Sequence, residues 1–305
     1  MREKAEVADK YSDFSASLMS RPKIVLGMGI RQFFRFFNKK NQWTIAIGVL
    51  LYLMVLMQVV FIAFLGDAYP CNEYEVEESS GIFEKECKTI EFYQGFSKML
   101  LILIASIASS GLISNDLKND SIHLYLSRPI SRTDYLVARF IPIFLLLMIY
   151  TALPNLLVYF SELYDSGFEI DWFKEQKWLL LGIIIQGMLY SFAFSIIGLT
   201  FSAAINRESF AAGGFFLTIY GLLIIVEFAR FFIENDAVLL LSISHQLELI
   251  SYDIYNLDYF VWDVESGDRV LIDLNTLWIY GAFSLIIGSC LAFLQWTIYQ
   301  MEVTK

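Results

Sequence analysis

Residue types that carry out catalysis are scarce in this chain of 305 residues. It has two histidines, His123 and His245, and none of the H-E-x-x-H, G-x-S-x-G or C-x-x-C spacings that bind zinc, activate a serine or form a redox pair. The phosphate-binding pattern G-x-x-x-x-G-K-[ST] is also missing, since the Lys88-Thr89 pair follows Cys87 and not glycine. We therefore expect no catalytic residue, no metal site, no cofactor and no ATP hydrolysis by this chain.

The residues most suited to recognition lie in Ser114–Phe140, a polar basic stretch between two apolar runs. Its pattern predicts a short helix from Asp116 to Leu126, capped by Asn115 or Asp116, and a break at Arg128-Pro129. A second helix, capped by Ser131, then leads into the next apolar run. A helical pattern, a mid-point Arg128-Pro129 and four lysines and arginines are typical of a cytoplasmic docking element, and an ordinary positively charged loop is the alternative.

Six apolar runs surround this stretch, and 57% of the chain is hydrophobic. Even the shortest run covers about 28 Å as a helix, close to the thickness of the hydrocarbon core. The sequence therefore predicts an all-α, polytopic membrane protein with a transmembrane domain over residues 43–299. The six predicted spans are 43–65, 95–113, 140–160, 178–203, 211–232 and 277–299.

Lysine and arginine are distributed unequally between the two sides of these spans. One side holds 15 and the other 5, so the positive-inside rule places both termini in the cytoplasm. Three outer loops follow, 66–94, 161–177 and 233–276, and they contain 22 of the 32 acidic residues. The net charge of −10 disfavours nucleic-acid binding.

The ends of the chain differ from the spans. Residues 1–20 form a charged cytoplasmic tail without the apolar core of a signal peptide, and residues 300–305 form a short cytoplasmic C-terminus. Residues 21–42 place apolar side chains at helical spacing among lysines and arginines, a pattern typical of a helix that lies in the membrane interface. A plain basic flank of the first span is the alternative.

Two cysteines lie in the first outer loop. Cys71 and Cys87 have 15 residues between them. On an oxidising face they either form a disulfide, which would stabilise the loop by about 3 kcal/mol, or remain free thiols. The loop contains no histidine, so these two cysteines alone do not make a metal site.

The end of the fifth span and the segment after it carry further polar groups. Glu227 and Arg230 are three residues apart on one predicted helix and can pair, either as charges that reach the interface or as an outer gate. Apolar residues recur at helical spacing over 237–255, with His245 and Glu248 elsewhere around that helix. Such a helix either lies on the outer surface or enters the membrane and returns.

The docking stretch and its flanks resemble the first cytoplasmic loop of ABC type-2 exporter permeases. The matching positions are Gly111, Ile113, Asp116, Leu124, Leu126, Arg128, Pro129, Ile130, Arg132, Tyr135 and Arg139. The resemblance implies that this loop holds the coupling helix, which docks on a separate ATPase, and that 237–255 is re-entrant. It implies a docking set of apolar contacts and of polar or orienting residues: Ile122, Leu124, Leu126, Asp116, Lys118, Arg128, Pro129 and Arg132. The chain departs from the family pattern at Asn119-Asp120-Ser121 and at His123.

On this resemblance, the chain is expected to be the permease subunit of an ATP-driven exporter in the plasma membrane. It would pair with a second permease chain and two copies of an ABC ATPase, and would move apolar or amphipathic cargo outward. The alternatives from other classes are an ATP-independent secondary carrier and a membrane scaffold that uses its acidic outer loops.

Overall fold

The chain is mainly helical. A computed structural model describes residues 21–36, 48–49, 52–53, 56, 71–75, 83–87, 96–119, 131–165, 167–168, 170–233, 235–257, 259–262, 269–272 and 274–303. The helices are α1 (Arg21–Phe36), α2 (Phe96–Lys118), α3 (Arg132–Asp165), α4 (Ile170–Ala204), α5 (Glu208–Phe232), α6 (Ile243–Ile254) and α7 (Thr276–Val303), with a 3-10 helix over Asp236–Leu241.

Five of these helices, α2, α3, α4, α5 and α7, are long and apolar enough to cross a membrane. They correspond to the second to sixth predicted spans, so the expectation of a polytopic helical protein is confirmed for this part of the chain. The first predicted span, 43–65, lies almost entirely outside the described residues.

The helices continue beyond the apolar runs that predicted them. α3 ends at Asp165 and α4 begins at Ile170, so most of the predicted loop 161–177 is helical. Gly167 adopts a φ of 71° in this connection, and its N–H donates to the Tyr164 carbonyl at 3.0 Å. Hydropathy marks where a helix meets lipid and not where its backbone hydrogen bonds stop, which explains the difference.

Proline residues do not interrupt α3, whereas a short turn separates α4 from α5. Pro142 and Pro154 both lie inside α3 rather than at its boundary. The fourth and fifth predicted spans form a tight helical hairpin, because only residues 205–207 separate α4 from α5.

The core lies between α2, α3, α4 and α5, where side chains such as Leu101, Ile143 and Phe194 are almost fully buried. Small residues let the backbones approach closely, as the serine and glycine content of the second and fourth spans predicts. A Cβ added to Gly198 of α4 would lie 2.5 Å from Ser109 Cβ of α2.

The amphipathic helix α1 packs along α3. Val25 is buried, and a Cβ on Gly29 would lie 2.8 Å from Ile141 Cβ. Leu26 and Phe34 are exposed. Thus one face of α1 packs against α3, while apolar side chains elsewhere on the helix are exposed.

Two short antiparallel hairpins accompany the helices. β1 (Cys71–Glu75) pairs with β2 (Phe83–Cys87), with Cys71 opposite Cys87 in the register. β3 (Phe260–Trp262) pairs with β4 (Arg269–Leu271). The all-α expectation did not include these strands.

Candidate functional sites at the two ends of the bundle

The first candidate site lies where the polar stretch leaves α2 and enters α3. The Arg139 guanidinium forms an ion pair with the Asp116 carboxylate, and the Tyr135 hydroxyl donates to the same carboxylate at 2.8 Å. Arg139 also lies over the Tyr135 ring, 5.2 Å from its centroid. Tyr135 and Arg139 are buried. We call these three residues the loop brace, because they hold the two ends of the polar stretch together.

The start of α3 is fixed by its own hydrogen bonds. Ser131 Oγ accepts from the Asp134 N–H at 3.2 Å, and Asp134 Oδ2 accepts from the Ser131 N–H at 3.0 Å. This reciprocal arrangement is a capping box, and it agrees with the predicted role of Ser131. The guanidinium of Arg132 lies 4.9 Å from the centroid of the Tyr299 ring on α7.

The end of α2 differs from the prediction. The helix is continuous to Lys118, so Asn115 and Asp116 lie inside it and do not cap a separate helix. The Asn115 amide donates to Glu208 Oε2 at 3.2 Å. Because Glu208 is the first residue of α5, the tight α4–α5 turn contacts the end of α2.

A buried serine strengthens that connection between α4 and α2. The Ser202 hydroxyl donates to the Ser110 carbonyl at 2.9 Å and accepts from the N–H groups of Ile113 at 3.0 Å and Ser114 at 3.1 Å. Sequence reasoning missed this contact, because a serine among other small residues gives no signal of its partner.

The structure brings together only part of the predicted docking set. Asp116 belongs to the loop brace, Lys118 is exposed at the end of α2, and Arg132 begins α3. Ile122, Leu124, Leu126, Arg128 and Pro129 lie outside the described residues.

The second candidate site lies at the opposite end of α2. Lys98 Nζ is 2.8 Å from Glu248 Oε2, and both residues are buried. Close by, His245 Nε2 is 2.7 Å from Glu227 Oε1, with His245 buried and the Glu227 side chain half exposed. We call these four residues the α6 cluster, because two of them lie on α6 and the other two hold that helix to α2 and α5.

The predicted pairing of Glu227 with Arg230 is replaced by contacts to the following segment. Glu227 binds His245, while Arg230 Nε lies 3.6 Å from Asp236 Oδ1. Sequence reasoning missed these partners, since helical spacing identifies neighbours on the same helix only.

Helix α6 is embedded in the bundle. Every residue from Ile243 to Ser251 is buried. After the helix, the Tyr255 hydroxyl donates to Gln186 Oε1 of α4 at 2.8 Å, and a Cβ on Gly182 would meet the Tyr255 ring at 2.6 Å. Most of α6 is therefore enclosed by other parts of the chain. Burial also raises the pKa of Tyr259 well above its ordinary value, with a further contribution from the Glu248 carboxylate.

Comparison with known families decides the identity of the fold. Residues 39–289 match the model of the ABC-2 family transporter proteins. The chain belongs to this family. The match includes the loop brace, the α6 cluster and the predicted first span, and members of the family are membrane components of ABC transporters. A search of curated proteins found no significant match.

As an ABC-2 permease, the chain is a multi-pass membrane protein of a transport system. The described residues of its two sites make polar contacts that join helices to one another. Among the described residues, no group of three or more His, Cys, Asp or Glu side chains is placed to hold a metal ion.

Proposed function

We propose that this ABC-2 permease is the membrane subunit of an ATP-driven exporter, which moves apolar or amphipathic cargo outward with energy from a separate ATPase. The loop brace is the observation that carries this proposal. A loop that receives force from a partner is useful only if its ends are fixed to the spans, and Asp116, Tyr135 and Arg139 fix both ends.

The coupling helix would lie within the loop that the brace closes. Ile122, Leu124 and Leu126 supply apolar contacts to the ATPase, while Asp116, Lys118, Arg128 and Arg132, with Pro129, orient the loop. Closure of the ATPase on ATP would then displace α2 and α3 together, because the largely buried Asp116–Arg139 pair resists separation. The α4–α5 turn at Glu208 would supply a second, smaller contact.

The full assembly would contain two permease chains and two ATPase subunits. The permease would lie in the plasma membrane. Its six spans, including 43–65, would place both termini in the cytoplasm. Exposed apolar side chains on α5 and α7, such as Phe228 and Trp278, support contact with lipid or with a second permease chain in a homodimer. Helix α6 would enter the membrane from the outer side and return.

The outer hairpin supports a disulfide between Cys71 and Cys87. The two residues are directly opposite each other across the antiparallel pair β1–β2. Opposite residues in such a pair have Cα atoms about 4.5–5.5 Å apart, a separation that a disulfide spans.

One observation favours a second candidate function, an ATP-independent secondary carrier. Ion-coupled carriers rely on buried ionisable groups, and Lys98, His245 and Glu248 are all buried. Reconstitution of the purified permease into liposomes discriminates between the two functions. A secondary carrier moves a fluorescent amphipathic dye when a proton or sodium gradient is imposed, whereas the exporter moves it only with the ATPase subunit and ATP.

The sidedness of the loop tests the primary proposal directly. A single cysteine at Leu124 should react with a membrane-impermeant maleimide in inside-out vesicles and be protected when the ATPase is bound. Reaction of this cysteine in intact cells would overturn the proposal, because an outward-facing loop cannot contact an ATPase that uses ATP in the cytoplasm.

A further inference from the structure

Contacts between charged or ionisable side chains join helix α6 to α2 and to α5. Lys98 of α2 binds Glu248, and Glu227 of α5 binds His245. The first contact joins residues 150 positions apart and is the drier of the two, since the side chains of Lys98 and Glu248 are 10% and 8% exposed. The Glu227 side chain, at 54%, is open to its surroundings.

A dry ion pair has two distinct states. While the site excludes water, separating Lys98 from Glu248 would leave two charges without solvation, so the closed arrangement resists small displacements. Once water enters, both charges are hydrated and their attraction becomes weak. An apolar contact of similar volume would stabilise the closed state as well, but it would oppose exposure to water during opening.

The first turn of α6 also favours entry of water. Ser242 Oγ, Ser244 Oγ and Gln246 Oε1 are buried, and none has a hydrogen-bond partner in the described part of the chain. Buried polar atoms in proteins are normally paired. Hydration would satisfy all three atoms, so displacement of α6 brings hydrogen bonds that the closed arrangement lacks.

We propose that the Lys98–Glu248 ion pair is a latch that keeps α6 closed over the spans and separates when the permease opens to the outside. This inference rests on the proposed function, because it assigns α6 to the exit side of an ATP-driven transporter. Lys98 and Glu248 are positioning residues in this account: they hold the helix, and the cargo passes once they have separated.

The test measures water access to α6 in the permease–ATPase complex reconstituted in liposomes. Ser244→Cys serves as the reporter, since Ser244 is 1% exposed, and a membrane-impermeant maleimide is applied from the outer side. We expect slow labelling at rest and faster labelling with vanadate-trapped ATP. Adding Glu248→Gln should raise the resting rate by about tenfold, which corresponds to about 1.4 kcal/mol of closing free energy.

Two further variants separate the latch from a general loss of structure. The charge exchange Lys98→Glu/Glu248→Lys should restore slow resting labelling, which a misfolded protein would not show. Asp253→Asn is the matched control, because it makes the same acid-to-amide change on α6 at an exposed position. Asp253 accepts a hydrogen bond from the Tyr280 hydroxyl of α7 at 2.7 Å, and the asparagine side-chain oxygen can still accept it, so the resting rate should be unchanged.

The outcomes distinguish the latch from the proposed function. Equal resting rates for Glu248→Gln and Asp253→Asn overturn the latch, as does failure of the charge exchange to restore slow labelling. If Glu248→Gln accelerates labelling but ATP has no effect on the parent protein, the latch stands and the ATP-driven function is overturned.

Discussion

The contact between α2 and α4 at Gly198 provides the most quantitative prediction. A Cβ at position 198 would lie 2.5 Å from both Cβ and Oγ of Ser109, far inside the 3.4–4 Å of ordinary contact. The serine cannot turn away easily, because its hydroxyl donates to the Ala105 carbonyl at 2.7 Å. Gly198→Ala must therefore push the two helices apart.

The size of the effect follows from two opposing contributions. Overpacking a close contact costs about 1 to 3 kcal/mol, whereas alanine is favoured over glycine inside a helix by about 1 kcal/mol. We therefore expect Gly198→Ala to reduce the free energy of unfolding by up to about 2 kcal/mol, and to be about 1 to 3 kcal/mol less stable than an alanine variant at an open glycine position. Ser109→Gly removes both clashing atoms, so the double variant Gly198→Ala/Ser109→Gly should be no less stable than Ser109→Gly alone.

The assay is unfolding of the purified permease in mixed micelles by increasing SDS, followed by far-UV circular dichroism. Gly281→Ala on α7 is the matched control, because no atom of the described chain lies within 4 Å of a Cβ at that position. It should be neutral or slightly stabilising. The packing argument is refuted if Gly198→Ala and Gly281→Ala have equal stability, or if Ser109→Gly fails to relieve the loss.

Three further predictions concern other contacts. Asp116→Ala leaves the buried Arg139 without its carboxylate, so we expect a loss of about 3 kcal/mol in SDS unfolding and reduced binding of the ATPase; wild-type values for both would contradict the loop brace. Ser131→Ala removes the α3 cap, so the first amides of α3 should exchange hydrogen faster, with a loss of about 1 kcal/mol in the free energy that protects them. Unchanged exchange would contradict the capping box. The peptides that contain Cys71 and Cys87 should be detected by mass spectrometry as one disulfide-linked species when no reductant is added. Maleimide labelling of both thiols in unreduced protein would show that they are free.

Features governed by local sequence were predictable. Hydropathy located five helices, and the Ser131 cap followed from residue type and spacing. The three-residue turn before Glu208 was indicated by the short polar interruption between two apolar runs. Serine and glycine in the second and fourth spans indicated close packing, although they did not identify Gly198 and Ser109 as partners.

Features that depend on distant partners were not predictable. The pattern placed His245 and Glu248 on the polar side of an amphipathic helix, which normally faces water. They are instead buried, because Glu227 and Lys98 approach from α5 and α2. A single sequence gives helical periodicity but does not reveal which charge 150 residues away will lie opposite.

The end of α2 shows a similar limit. The polar residues after Ile113 suggested a new helix with its own cap, since apolar character ended there. The structure continues the same helix, because Glu208 and Arg139 bind the polar side chains of Asn115 and Asp116. Polarity at a helix end therefore marked contacts to other helices and not a break.

The central claim is that a separate ATPase drives this permease through the loop between α2 and α3. The most direct measurement is a pull-down of the tagged full-length chain from its native membranes, with ATP hydrolysis measured in the captured fraction. We expect the chain to capture a protein that contains G-x-x-x-x-G-K-[ST] and hydrolyses ATP. This capture should be lost with Leu124→Asp and retained with Phe168→Asp. Phe168 is the matched control, an exposed apolar residue in the α3–α4 turn. Capture of no ATPase, or equal capture by both variants, would contradict the account.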